Sequence, residues 1–123
     1  MGERMKSILF THFKEKLLNK QKQRTYRVIF IPNYVVGDIV KIDFRGGENK
    51  IRETLYTALI KEIYPKQFGN VGETEAKLDG FDSIEAFRKG IIEINSIKNL
   101  EHWGFFTVFN KIKDITEYGK DGK

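Results

Sequence analysis

Apolar positions along the chain form separate blocks, each with its own spacing. Phe10, Phe13, Leu17 and Leu18 follow the i, i+3, i+7, i+8 pattern of one helical face, with Thr11 as a cap residue, so a short helix is predicted there. Arg24 to Ile31 is rich in β-branched and aromatic residues and is stopped by Pro32 and Asn33, which predicts a strand. Ile39, Val40, Ile42 and Phe44 lead to Gly46 and Gly47, and beyond them Ile51, Leu55, Leu59, Ile60 and Ile63 mix two periods. A hairpin through the double glycine is predicted, with a helix over Arg52 to Tyr64 as the alternative.

Downstream, Asp82 precedes Glu85 by three, a carboxylate version of the capping box. Ile84, Phe87, Ile91 and Ile94 then repeat at three and four, so a helix from about Ser83 to Asn95 turns one stripe inward. The segment "HWGFFTVFNKI" predicts a last aromatic strand. Strands interrupted by two or three short helices imply an α+β protein, a small β-barrel whose ends the helices cover.

Length suits a single domain over residues 1–123, with a core from about 7 to 112 and a tail over 113–123. A content of 40% hydrophobic and 13% aromatic residues argues for a folded globule with a ring-rich core. With no cysteine, disulfides and thiolate metal sites are excluded, and a cytoplasmic location is expected. Apolar runs such as Val28 to Ile31 are far shorter than the roughly 20 residues of a membrane helix, so no membrane partner is expected. The start "MGERMKS" has Lys6 where a myristoylation signal needs Ser or Thr, and it has no apolar signal-peptide region.

The formal net charge is +5, and the window from Lys14 to Arg27, with six cations and Glu15 as its one acid, carries the same excess. The rest of the chain is neutral on balance. A positive field confined to one segment raises the encounter rate with an anionic partner, nucleic acid above all. Lys20, Lys22, Arg24 and Arg27 within "NKQKQRTYR" are the candidate contacts, although a basic run is as often a solvated surface. Tyr26, Tyr34 and Trp103 are candidate stacking platforms for bases, each about 1 to 3 kcal/mol if used. Tyr34, just past Pro32 and Asn33, is expected to be exposed, and Trp103 to belong to the core. His12 and His102, the only histidines, make a poor metal site, and "GNVGETE" lacks the ending of a phosphate loop, so no metal or cofactor is expected.

The ordered set "LLNKQKQRTYR", "VGDIVKI", "LDGFDSIEAFRK" and "WGFFTVF" resembles the ASCH family of PUA-like barrels over about Ile8 to Phe109. The matching positions are Lys22, Thr25 and Arg27, then Gly37 and Asp38, then Asp79, Gly80 and Phe81. Lys20 stands where the family signature has a glycine, often at φ > 0, and Asp79 is one methylene shorter than the family's Glu. The resemblance implies a PUA-like small barrel that binds single-stranded RNA, with Lys20, Arg24, Arg27, Tyr26 and Tyr34 in contact, and that cleaves it without a metal. The runner-up that the resemblance implies is an amidohydrolase removing the acetyl group from acetylated cytidine, a modified nucleoside, through Lys22, Thr25 and Asp79; Asp79 in place of Glu and the basic cluster favour the RNA reading over it. A binding module without catalysis is the third reading.

Either chemistry asks Lys22 to act as a base, which requires a depressed pKa; neighbouring cations depress it and Asp79 would oppose them. Thr25 is the candidate nucleophile for the amide. Residues three apart on a strand face opposite sides, so Lys22 must lie in the turn before the strand if the two are to converge.

Overall fold

The computed structural model describes residues 5–28, 32–46, 51–95 and 99–114. It holds five strands and three helices: β1 (Ser7–Phe10), α1 (Lys14–Leu18), β2 (Arg24–Val28), β3 (Ile39–Gly46), β4 (Ile51–Gln67), α2 (Glu73–Leu78), α3 (Ile84–Asn95) and β5 (Trp103–Asp114). All five strands join one sheet in the order β1-β3-β4-β5-β2. Only β1 and β3 run parallel. The result is a mixed α+β fold whose sheet curls into a half-barrel, with β1 and β2 as its two edges.

The predicted hairpin forms as β3 and β4, pairing Ile39 with Leu59 and Gly46 with Ile51, while the turn at Gly47 lies outside the described residues. Arg52 to Tyr64 is strand and not helix. Its mixed periodicity has a physical cause, since β4 carries an extra residue at Leu55, between the Asp43–Thr54 and Ile42–Tyr56 pairs, and another at Lys61, between the Ile60–Phe109 and Glu62–Val108 pairs, and each exchanges the faces. Leu55 and Tyr56 are both buried as a consequence, while Tyr56, Ala58 and Ile60 alternate along one buried face. The same bulges bend the long strand and curl the sheet. Pro65 sits past the end of the β3 ladder, where β4 has β5 alone beside it and its missing N–H costs nothing.

Phe10 belongs to β1 and not to a helix face, and α1 begins only at Lys14. Thr11 does not cap it; the residue before the helix is Phe13, at φ 69°. The predicted helix near Ser83 forms as α3, with the Ser83 hydroxyl accepting from Ala86 N–H at 3.1 Å in place of the expected Asp82. Phe87 and Ile91 are buried on its inner stripe, but Ile94 is 57% exposed at the far end. The strand from Arg24 is described as far as Val28.

Two hydrophobic clusters lie on opposite faces of the curled sheet. One gathers Ile8, Phe10, Leu17, Val40, Ile42, Tyr56, Ile60 and Phe109; the other, under α2 and α3, gathers Tyr26, Phe68, Ala76, Phe87, Ile91 and Phe106. Gly104 lets the second close, because a Cβ there would meet the Tyr26 ring at 2.6 Å. Trp103 is 59% exposed, contrary to expectation, since it opens β5 beyond the reach of either cluster. No helix among the described residues is long and apolar enough to cross a membrane.

Candidate functional site

The two sheet edges do not pair with each other, and a cleft opens where they approach. Arg27, on β2, spans the gap by donating from Nη2 to the Leu9 carbonyl of β1 at 3.0 Å. Next to this staple lies a cavity of about 180 Å3, lined by Phe10 and Phe13 on one side, Thr25 and Arg27 on the other, and Lys22 and Asp79 between.

Each polar group arrives from a different part of the chain. Lys22 sits in the turn before β2, its N–H bonded to Lys16 O at 3.0 Å, as convergence with Thr25 requires. Asp79 is the residue at which α2 ends, its N–H bonded to Glu75 O. Gly80 follows at φ 104°, a left-handed turn that suits glycine, and a Cβ there would crowd Phe13 and the Lys22 stem at 3.2 to 3.3 Å. The acidic-Gly-Phe step thus aims a carboxylate at Lys22 across 57 residues of chain.

Lys22, Thr25 and Asp79 are 4%, 4% and 2% exposed, so the set is almost dry. Lys22 Nζ donates to Asp79 Oδ1, to Asp79 O at 2.6 Å and to Arg24 O at 3.0 Å, which uses all three ammonium protons. The rings of Phe10 and Phe13 stand 5.2 and 5.5 Å from the same nitrogen. Asp79 Oδ2 accepts the Tyr26 N–H at 3.2 Å. Burial pulls the Lys22 pKa below the ordinary lysine value, a shift that Asp79 opposes and that Arg27 and Lys16 reinforce. Burial likewise pushes Asp79 above the ordinary carboxyl value against the pull of Lys22. The two shifts approach each other, so neutralising the pair costs far less than it would in water. Thr25 Oγ1 accepts from Arg27 Nε at 3.1 Å, which fixes the hydroxyl and sets positive charge beside its oxygen.

The remaining predicted residues scatter. Arg24 turns to the other side of β2 and donates to the Tyr64 hydroxyl at 2.7 Å, which in turn donates to Glu75. Burial raises Glu75, but the Gly72 N–H, the Tyr64 hydroxyl and Lys66 outweigh it and hold the carboxyl below its usual range. Tyr34 is 3% exposed, not solvent-facing, and its hydroxyl meets Thr107 Oγ1 at 2.9 Å. Tyr26 is equally buried and donates to Lys66 O. Neither ring presents a face for stacking. Lys20 is exposed and stands at φ 67°, the left-handed conformation that its place in the turn suggested.

Sequence reasoning missed the aromatic wall. Phe10, Phe13 and Phe81 line the cleft, with Phe13 edge-on to Phe81 at 4.8 Å. The signal was present in "LFTHF" but fitted a helical spacing equally well. His12 is exposed at the rim, and Asn95 lines the cavity from the end of α3.

Half-barrels of this α+β kind have a solved counterpart. Protein EF3133 from Enterococcus faecalis V583, described as belonging to the DUF984 family, superposes with a TM-score of 0.63 at 11% identity, over 93% of this chain and 84% of that one. The likeness is one of fold. No family model matches the chain, and no curated protein matches it.

Proposed function

We propose that the chain is an ASCH-like hydrolase of the PUA-like class that cleaves the amide of a small acylated nucleobase, with acetylated cytidine as the representative substrate. The observation that carries this reading is the convergence of Lys22, Thr25 and Asp79 on one cleft, with the lysine buried and its pKa driven down. A volume of about 180 Å3 is below the roughly 300 to 1,000 Å3 of drug-sized sites, so it suits an acyl group and part of one ring.

In this mechanism neutral Lys22 takes the Thr25 proton as Oγ1 attacks the acetyl carbon. Arg27, already donating to that oxygen, supports the charge that develops. The C–N bond breaks as the amine nitrogen takes the proton from Lys22, and water then hydrolyses the acetyl ester to release acetate. Asp79 holds Lys22 in place and does not touch substrate.

The RNA-cleaving alternative rests on the basic cluster, and the cluster is largely spoken for. Lys22 is paired with Asp79, Arg24 with Tyr64, and Arg27 with Leu9 and Thr25. Incubation of acetylated cytidine in EDTA should release cytidine and acetate. Thr25→Val and Lys22→Ala should each lower the rate by a factor on the order of 10² to 10⁴, while Thr25→Ser retains turnover. Cleavage of single-stranded RNA that a 2′-deoxy nucleotide blocks, with acetylated cytidine untouched, would replace this reading by the ribonuclease.

A further inference from the structure

The last turn of α3 contributes a part of the cleft that the proposed reaction leaves unused. Gly90 brings this helix against Phe81, since a Cβ there would meet the ring at 2.7 Å. Residues four apart stack on one helix face, so Ile94 continues the surface that Phe81 begins. Ile94 is 57% exposed and yet lines the cavity, together with Asn95. Phe13 adds to the same lining at a conformational cost, because its φ of 69° is rare for a bulky side chain. Such strain persists where the surroundings have a use for it, and here it holds the Phe13 ring edge-on to Phe81 at 4.8 Å. Phe13, Phe81 and Ile94 are therefore apolar groups that the core does not close over, at the border of the cavity that Lys22, Thr25 and Asp79 share. A flat ring would cover them.

Asn95 supplies the second observation. Its half-buried amide donates from Nδ2 to the Ile91 carbonyl at 3.1 Å. That bond uses one of two amide hydrogens, and among the described residues the other hydrogen and Oδ1 have no partner. Flipping the amide would set Oδ1 against the Ile91 carbonyl, acceptor against acceptor, so the donor and acceptor positions are fixed. A fixed donor beside a fixed acceptor matches a ring edge that offers the complementary pair. Cytosine has one in the N3 lone pair beside the exocyclic N–H, and acylation leaves one hydrogen on that nitrogen. Uracil reverses the pair, with N3–H beside a carbonyl oxygen.

We infer that Asn95 selects the base, reading N3 and the N–H of the acylated exocyclic nitrogen, while Ile94 covers a face of the ring, so that the site takes an amino-substituted pyrimidine and rejects an oxo-substituted one. The inference rests on the hydrolase reading, which places the acyl group at Thr25 and so brings this ring edge into the cavity. Binding tests it without turnover.

Calorimetric titration with cytidine and with uridine, which share the ribose and differ at this edge, provides that test. The wild type should bind cytidine about tenfold tighter. Asn95→Ala and Asn95→Asp both remove the donor, the second at unchanged size, and each should bring the two affinities together. Asn95 ends a helix and is only partly buried, so Asn95→Ala should melt close to the wild type. Ile94→Ser should weaken both nucleosides by a similar factor and keep the preference. With acetylated cytidine as substrate, Asn95→Ala should raise KM about tenfold at nearly constant kcat, the sign of a contact made equally in ground and transition states. Equal affinities in the wild type, a preference kept in both Asn95 variants, or unchanged binding in Ile94→Ser overturns the inference. Turnover of acetylated cytidine with an unchanged KM in Asn95→Ala overturns it too and leaves the hydrolase standing. A cytidine preference that depends on Asn95, in a protein that leaves acetylated cytidine intact, sustains the base reader while removing the hydrolase.

Discussion

An ammonium and a carboxylate that are each almost fully buried are stable only as a pair. Taking both out of water costs several kcal/mol per ion after relaxation, and the Lys22–Asp79 contact recovers it because every ammonium proton and both carboxylate oxygens have partners. Asp79→Asn should therefore destabilise the fold by about 3 to 5 kcal/mol, since it leaves a buried cation without its counter-charge. Lys22→Met combined with Asp79→Asn should lose less than Asp79→Asn alone, because the amide still accepts the Tyr26 N–H and no charge is stranded. Urea midpoints at constant m measure both; a double variant no more stable than the single would mean that the pair is not coupled as drawn. The sequence named Lys22, Thr25 and Asp79 by their likeness to a motif. That the lysine is buried, with its pKa drawn below the ordinary value, is a property of Phe10, Phe13 and the Asp79 turn, which no local window contains.

Among the elements, α3 was legible because its stripe is long and regular, and β5 because its aromatic run is dense. Phe87 is fully buried against Tyr26 of β2 and Phe68 in the turn just past β4, and Ile91, 5% exposed, belongs to the same cluster. Phe87→Ala should cost about 3 to 5 kcal/mol and Ile91→Ala about 2 to 5, whereas Ile92→Ala, at a 41% exposed position, should stay within about 0.5. Thermal or urea unfolding of the three variants checks the register, and a costly Ile92→Ala with a harmless Ile91→Ala would shift it by one. β1 was not legible. Four residues give too few alternations to identify a strand, and Phe10 and Phe13 meet a helical spacing by coincidence. The bulges of β4 hid its period for the opposite reason, by breaking a strand long enough to have shown one.

Across the molecule, the aromatic rings that looked available for a ligand are largely spent on closing the two clusters. Tyr26 is pushed up to about 12 by burial, and Tyr34 and Tyr64 are also raised, burial being the first cause in each. The folded protein therefore holds phenolic protons that the unfolded chain releases near pH 10. The associated stability is complete below that pH and is lost as pH rises through the folded value, about 12 for Tyr26. The urea midpoint should fall steadily above pH 10, and in native protein the phenolate absorbance of these three tyrosines should appear late, rising together with unfolding. Ordinary titration near pH 10 in the folded state would contradict the packing of both clusters.

Hydrophobic spacing told which faces of the chain are apolar, and so gave the α+β class, α3, β5 and the hairpin. Composition gave a folded globule, and the charge count located its one basic segment. Spacing does not tell which distant surface covers a face. Whether Tyr34 meets solvent or Thr107, whether Arg24 meets phosphate or Tyr64, and whether Lys22 is hydrated or caged depend on contacts 40 to 73 residues away in sequence. Desolvation is the physical reason, because a side chain's charge state and availability are set by what excludes water from it, and that is assembled only when β1, the β2 turn and the end of α2 come together.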